Sequence, residues 1–146
     1  MFAVFLPLLP LLRALASRVL EADVFDLTDA VMQGNYTKAL TLLRDLFDMK
    51  HEPVAILAAV SKQLQRLYGA RLAMEKGKGE AYLADLFGFR STYPAKLLLQ
   101  SARSCEIGAL RRIQHFCLET DLQLKSNLPD AQRTMELFLM RVVQEV

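Results

Sequence analysis

The sequence predicts an all-α fold, a bundle of about six to seven helices. Apolar residues recur at steps of three and four along most of the chain, and no segment shows sustained period-two alternation. The composition is 53% hydrophobic and 23% charged, with only six glycines and five prolines. These values argue against a disordered chain and against a turn-rich β fold. A chain of 146 residues is large enough to bury the core of one domain.

The bundle is expected to form around a long helix over residues 52–77. Pro53 suits a first helical turn and Gly77 can end the helix. The apolar stripe of this helix contains Ile56, Leu57, Val60, Leu64, Leu67, Tyr68 and Leu72. Its polar residues are Lys62, Gln63, Gln65, Arg66 and Arg71. A helix about 35 Å long with one apolar side needs partners along its whole length.

Residues 1–12 are apolar and interrupted by two prolines, Pro7 and Pro10. The run is shorter than the roughly 20 residues that a membrane span needs, so no membrane association is expected. Residues 14–16 resemble a signal-peptide cleavage site, but no basic residue precedes the apolar run. We therefore divide the chain into an apolar stub over residues 1–16 and a helical domain over residues 17–146. The stub would be the remnant of a preceding domain or an artificial chain end.

The remaining helices are predicted from periodicity and from residues that begin or end helices. A short helix with Phe25 and Leu27 ends at Gly34, and Asn35 caps the next helix, over residues 35–50. A short helix that contains Tyr82, Leu83, Leu86 and Phe87 is predicted to end at Gly88. Three more helices are expected: a short one that starts at Pro94, a long one over 107–125 with an Asp121–Lys125 pair, and a final one after a break at 127–130 that holds Met135, Phe138, Leu139, Val142 and Val143.

No arrangement of residues predicts catalysis, a cofactor or a metal. There are two histidines, His51 in a loop and His115 within a helix, and their positions do not predict a catalytic dyad or triad. His115 and Cys117 are two positions apart and point to different sides of a helix, which disfavours a metal site. Cys105 and Cys117 are expected to be free thiols in a reducing cytoplasm. The chain is not predicted to be an enzyme.

Residues 62–112 carry ten Lys or Arg against four Asp or Glu, a net charge of +6. A solvated polar face is the favoured explanation, and contact with nucleic acid or with an acidic subunit is the alternative. Ala84 and Gly88 have the spacing of a helix-turn-helix, whose second helix would offer Lys96, Gln100 and Arg103 to DNA. Three leucines at 97–99 cover much of that helix. A ligand-sensing domain, which needs an enclosed pocket that Met and Phe could line, is a third hypothesis.

The segments VFDLTDAVMQG (24–34) and NYTKALTLLRDLF (35–47) resemble the C-terminal domain of the delta subunit of bacterial DNA polymerase III, a clamp-loader subunit. The matching residues are Phe25, Asp26, Leu27, Asp29, Ala30, Gly34, Lys38, Ala39, Leu40 and Leu43. The resemblance continues through Glu52-Pro53, Ile56-Leu57, Gln63, Arg66-Leu67, Gly88, Tyr93-Pro94, Lys96, Asp121 and Lys125. It covers roughly residues 20 to 143.

The resemblance implies a non-catalytic assembly module, with helix-turn-helix nucleic-acid binding as the alternative function. In that family this domain joins other loader subunits, gamma/tau and delta prime, in a collar that supports AAA+ modules during sliding-clamp loading in DNA replication. The AAA+ modules and the clamp-opening element belong to segments that this sequence lacks. The implied location is cytoplasmic, DNA contact would be indirect, and a homodimer of the isolated chain is possible. The predicted subunit interface consists of Lys62, Arg66, Arg71, Phe138 and Val142.

Overall fold

Seven α-helices build the fold in a computed structural model that describes residues 8–126 and 130–146. In chain order they are α1 (Leu8–Met32), α2 (Tyr36–Asp48), α3 (Pro53–Glu75), α4 (Glu80–Phe87), α5 (Tyr93–Ala102), α6 (Ile107–Lys125) and α7 (Ala131–Glu145). No strand occurs within these two ranges. The all-α prediction and the predicted number of helices are confirmed.

Helix α3 is the spine of the bundle, as the sequence predicts. It packs against α1, α4, α5, α6 and α7, and its contact with α6 is the most extensive in the fold. The side chain of Gln114 on α6 donates to the carbonyl oxygen of Leu64 on α3 at 3.3 Å and to that of Leu110 at 3.2 Å. The buried residues of α3 are Ile56, Leu57, Ala59, Val60, Leu64, Leu67, Ala70 and Ala73. The predicted stripe therefore forms the centre of the core.

Helix α1 is longer than predicted. The sequence predicts a short helix around Phe25, but α1 begins at Leu8 and contains 25 residues. Pro10 lies in its first turn, where the backbone N–H has no intrahelical acceptor and its loss costs little. The predicted division between residues 16 and 17 falls inside this helix, and residues 1–7 of the predicted stub lie outside the described residues. None of the described helices combines the length and apolar character that crossing a membrane requires.

The helix ends follow the predicted local chemistry. Asn35 Oδ1 accepts from the backbone N–H of Lys38 at 3.1 Å and caps α2, as predicted. Asp130 Oδ1 accepts from the N–H of Arg133 at 3.0 Å and caps α7. Gly88 ends α4 with a φ of 70°, a left-handed conformation that favours glycine. Of the break predicted at 127–130, residues 127–129 lie outside the described residues.

The hairpin of α1 and α2 is held against the C-terminal helix by one specific hydrogen bond. The hydroxyl of Tyr36 on α2 donates to the carbonyl oxygen of Glu136 on α7 at 3.1 Å. Burial, together with the nearby Glu136 carboxylate, raises the pKa of this phenol above its usual value. The first and last parts of the described chain therefore pack together, and the bundle is closed around α3.

Candidate subunit-contact surface

The three basic residues of the predicted interface lie on α3 but do not form one patch. Lys62 makes an ion pair with Glu21 of α1, with Nζ 2.9 Å from Oε1. Arg71 pairs with Glu75, one turn further along α3, at 3.1 Å. Lys62 and Arg71 are nine residues apart, which is about half a turn of rotation around a helix with 3.6 residues per turn. The residues predicted to form one polar edge of α3 therefore lie on two opposite sides of the helix.

Arg66 lies at the margin of an open groove formed by α1, α3 and α5. Its guanidinium carbon is 5.1 Å from the centre of the Phe89 ring, which is a cation–π contact. Arg66 makes no ion pair with any residue of the two described ranges. Its charge is therefore available to another molecule.

This α1–α3–α5 groove has a volume of about 320 Å³ and a mainly apolar lining. Phe25 on α1 and Tyr93 on α5 stand at its mouth and are 48% and 64% exposed. The lining also includes Met32, Leu67 and Leu97, and one carboxylate, that of Asp29. Such an open groove differs from the enclosed pocket that the ligand-sensing hypothesis requires. It suits instead the side chains of a protein partner.

Phe138 and Val142, the apolar residues of the predicted interface, are buried in the core of this domain. Phe138 is 1% exposed and Val142 is fully covered, so neither side chain reaches the surface. The exposed apolar residues of α7 are instead Leu137, which is 49% exposed, and Met140. The outer face of α7 can contact a subunit only through these neighbours.

Further apolar side chains are exposed on α1 and α6. Leu118 and Leu122 on α6 are 64% and 71% exposed and lie one turn apart. On the first half of α1 the exposed apolar residues are Leu8, Leu11, Leu12, Leu15 and Val19. Monomeric soluble proteins rarely expose large contiguous apolar patches, and such patches mark interaction surfaces.

The reactive side chains do not converge. Cys105 is partly exposed and Cys117 is buried, both are free thiols as predicted, and burial raises the pKa of each. Within the described part of the chain, no three His, Cys, Asp or Glu residues are grouped closely enough to hold a metal ion. The Nε2 atom of His51 is buried and finds no hydrogen-bond partner among the described residues. His51 lies in the α2–α3 connection, and within residues 8–126 and 130–146 no side-chain hydrogen bond joins it to a nucleophile.

The helix-turn-helix alternative has its two helices in contact, since α4 packs against α5. However, α5 buries Ala95, Leu98 and Ala102 in the core, and Leu97 lines the α1–α3–α5 groove. Lys96, Gln100 and Arg103, the residues that the hypothesis offers to DNA, are all exposed, but much of the circumference of this helix is used for packing. A recognition helix needs a free face of several polar side chains. Three polar side chains are a small free face for this purpose, so the packing of α5 gives DNA readout little support.

Comparison with known proteins gives the family. Residues 21–142 match the family model described as the DNA polymerase III delta subunit, C-terminal domain. The chain belongs to this family. It is 26% identical over 132 residues to DNA polymerase III subunit delta of Bacillus subtilis strain 168. That alignment covers 90% of this chain and 38% of the relative.

A solved structure of the Bacillus subtilis DNA clamp loader delta protein (YqeN) has the same fold. It superposes with a TM-score of 0.77 at 26% identity, covering 86% of this chain and 37% of that one. This chain therefore spans less than two fifths of the length of each of these relatives. All residues that line the α1–α3–α5 groove lie within the matched range, as do the exposed residues of α6 and α7. The exposed leucines of α1 precede it.

Proposed function

We propose that this delta C-terminal domain is a non-catalytic assembly module of the DNA polymerase III clamp loader. It joins the equivalent domains of other loader subunits, gamma/tau and delta prime, in a collar that supports sliding-clamp loading. The observation that carries this proposal is the apolar surface left exposed on a well-packed bundle. It comprises the α1–α3–α5 groove, Leu118 and Leu122 on α6, and Leu137 and Met140 on α7.

The packing around α3 suits a domain that acts as a rigid support and does not itself catalyse a reaction. The spine contacts five other helices, so the outer faces of the bundle are held in a fixed relation to one another. A collar needs such rigidity, because it holds the modules attached to it in a defined arc. Clamp opening and nucleotide chemistry would belong to the parts of the delta relatives that this chain does not span.

The contact residues that we propose differ in part from those predicted from the sequence. Arg66 is retained because it lines the groove and makes no ion pair with the residues that the structure describes. Leu137 and Met140 replace Phe138 and Val142, because a buried side chain cannot contact another subunit without unfolding α7. Lys62 and Arg71 stay as secondary contacts on opposite sides of α3, each now held by an ion pair.

The test is co-assembly with the other loader subunits. The chain is mixed at micromolar concentration with gamma/tau and delta prime and applied to a size-exclusion column. We expect it to elute with them, and we expect Phe25→Asp or Leu137→Asp to reduce the bound fraction. Lys38→Glu, an exposed charge reversal on α2, is the matched control and should change nothing. A folded chain that elutes alone contradicts the proposal.

A further inference from the structure

Gly69 lies where α3 has no room for a side chain. A Cβ at this position would be 2.9 Å from the Cζ atom of Phe87, the last residue of α4. Carbon atoms in ordinary contact are about 3.5–4.0 Å apart, so the Phe87 ring occupies the space that a methyl group would need. The backbone of Gly69 is part of the regular α3 helix, where alanine is the more favourable residue. Space, and not backbone conformation, therefore requires the glycine.

The Phe87 ring is connected to the α1–α3–α5 groove through Phe89. The centres of the two rings are 5.7 Å apart. The N–H of Phe89 donates to the carbonyl oxygen of Ala84 at 2.8 Å, and this hydrogen bond fixes the turn that follows α4. Phe89 lines the groove, and its ring faces the guanidinium of Arg66 at 5.1 Å. A shift of Phe87 is therefore passed to two residues of the groove, Phe89 and Arg66.

The same contacts return to α3 one turn away from where they start. Gly69 and Arg66 are three residues apart and are neighbours on the surface of the helix. The contacts thus run from Gly69 through the two phenylalanine rings of the α4 end and back to Arg66. Gly69 and Phe87 are not among the residues that line the groove. Their effect on it is indirect, through Phe89 and Arg66.

We propose that Gly69 is a positioning residue for the contact of this domain with another loader subunit. By admitting the Phe87 ring against α3, it holds Phe89 and Arg66 at the edge of the α1–α3–α5 groove. The inference rests on the proposed function in one respect, that the groove contacts a loader subunit. The coupling from Gly69 to Arg66 belongs to the isolated chain and is tested there. Residue 69 thus controls the affinity of a surface that it does not itself line.

The segment that carries Phe87 can shift without unfolding the bundle. Helix α4 packs against α5 much more extensively than against α3. Phe87 is only partly buried, and Cζ is the outermost atom of its side chain. A methyl group at residue 69 would displace the ring by about 0.6 Å, which restores an ordinary carbon–carbon contact. We therefore expect Gly69→Ala to fold and to change the groove while the core stays intact.

The first experiment follows the Arg66 side chain by NMR in the chain alone. The guanidinium of Arg66 lies over the Phe89 ring, so the ring current displaces the resonance of its Nε proton. Phe89→Leu removes the ring and gives the reference position. We expect Gly69→Ala to move the Arg66 resonance part of the way toward this reference, because the added methyl group pushes the end of α4 away from α3. Gly79→Ala is the matched control and should leave the resonance in place, since a Cβ there meets open space.

A second change, at Phe87, tests whether this residue and Gly69 act as a pair. Leucine lacks the outer ring atoms, so Phe87→Leu makes room for the methyl group of Gly69→Ala. Each change alone should displace the Arg66 resonance, because one crowds the contact and the other leaves a gap in it. The chain that carries both changes should recover most of the displacement. If Gly69→Ala alone does not fold, circular dichroism should show that adding Phe87→Leu restores the helical fold.

The second experiment measures affinity by titrating the fluorescently labelled chain with gamma/tau and delta prime. We expect Gly69→Ala to weaken binding about fivefold, a moderate coupling between residues in contact. Gly79→Ala should bind like the unmodified chain, and Gly69→Ala/Phe87→Leu should regain most of the affinity. Urea denaturation of the same samples shows whether Gly69→Ala is fully folded under the conditions of the titration, so a loss of affinity is separated from a loss of fold.

Two results would overturn the positioning role of Gly69: an Arg66 resonance that is unchanged in Gly69→Ala, or a Phe87→Leu change that restores neither the resonance nor the fold. An unmodified chain that joins the other loader subunits, with a Gly69→Ala variant that binds them equally well, refutes this role alone. An Arg66 resonance that responds as expected, in a chain that does not join those subunits, refutes the clamp-loader proposal and leaves the coupling from Gly69 to Arg66 standing.

Discussion

Replacing two adjacent residues of α7 separates a packing role from a contact role. Phe138 is 1% exposed, and replacing a buried phenylalanine by alanine typically costs 3–5 kcal/mol, so we take about 4 kcal/mol for Phe138→Ala. Domains of this size have a free energy of unfolding of roughly 5–15 kcal/mol, so the loss is a large share of the total. It corresponds to a fall in Tm of about 10–15 °C. Leu137 is 49% exposed, and Leu137→Ala should cost less than about 1 kcal/mol.

The assay is urea denaturation of the isolated chain followed by circular dichroism at 222 nm, with the two variants and the unmodified chain measured side by side. Leucine and phenylalanine differ little in what their replacement by alanine does to helix propensity, so the contrast reports on packing. A Leu137→Ala variant that is less stable than Phe138→Ala would refute the orientation of α7. It would also return Phe138 and Val142 to the list of candidate contact residues.

Three further changes test local features of the fold by the same denaturation assay. Asn35→Ala removes the side-chain acceptor for the Lys38 N–H and should cost about 1 kcal/mol, whereas Asn35→Asp keeps an acceptor and should cost little; equal losses would exclude the cap. Gly88→Ala places a Cβ at a φ of 70° and should cost about 1 kcal/mol, and Gly79→Ala, at a negative φ with open space around it, should be nearly neutral. Burial raises the pKa of Cys117 above 9.0, its value in the unfolded chain. The folded protein therefore keeps a proton that the unfolded chain loses above pH 9.0, and the free energy of unfolding should fall as the pH rises past that value. Cys117→Ala should weaken this dependence on pH, and an unchanged profile would contradict the assignment.

Helices α2 to α7 could be predicted because their signals are local. Asn35, Pro53 and Gly88 begin or end helices through their own side chains or backbone preferences, and the stripe of α3 repeats with the helical period. The start of α1 lacks such signals. Its first turns are apolar on several sides, so no amphipathic period marks them, and Pro10 suggests a break although it lies in a first turn.

The contact surface could be predicted only in part. Periodicity shows that α7 is rich in apolar residues, but it cannot show which of them face this domain's own core, and Phe138 and Leu137 are therefore indistinguishable by pattern. The side of α3 on which Arg66 lies could be read from its helical position. The groove beside it could not, because Phe25 and Phe89 come from segments that meet only through tertiary packing.

Amide hydrogen exchange tests most directly whether this chain is a contact module. It is measured for the chain alone and for the chain mixed with gamma/tau and delta prime at concentrations above 10 µM. The account predicts slower exchange in the mixture over α1, α5 or the outer faces of α6 and α7, where the exposed apolar side chains lie. Exchange that is identical in the two samples at every peptide of the folded chain would contradict it.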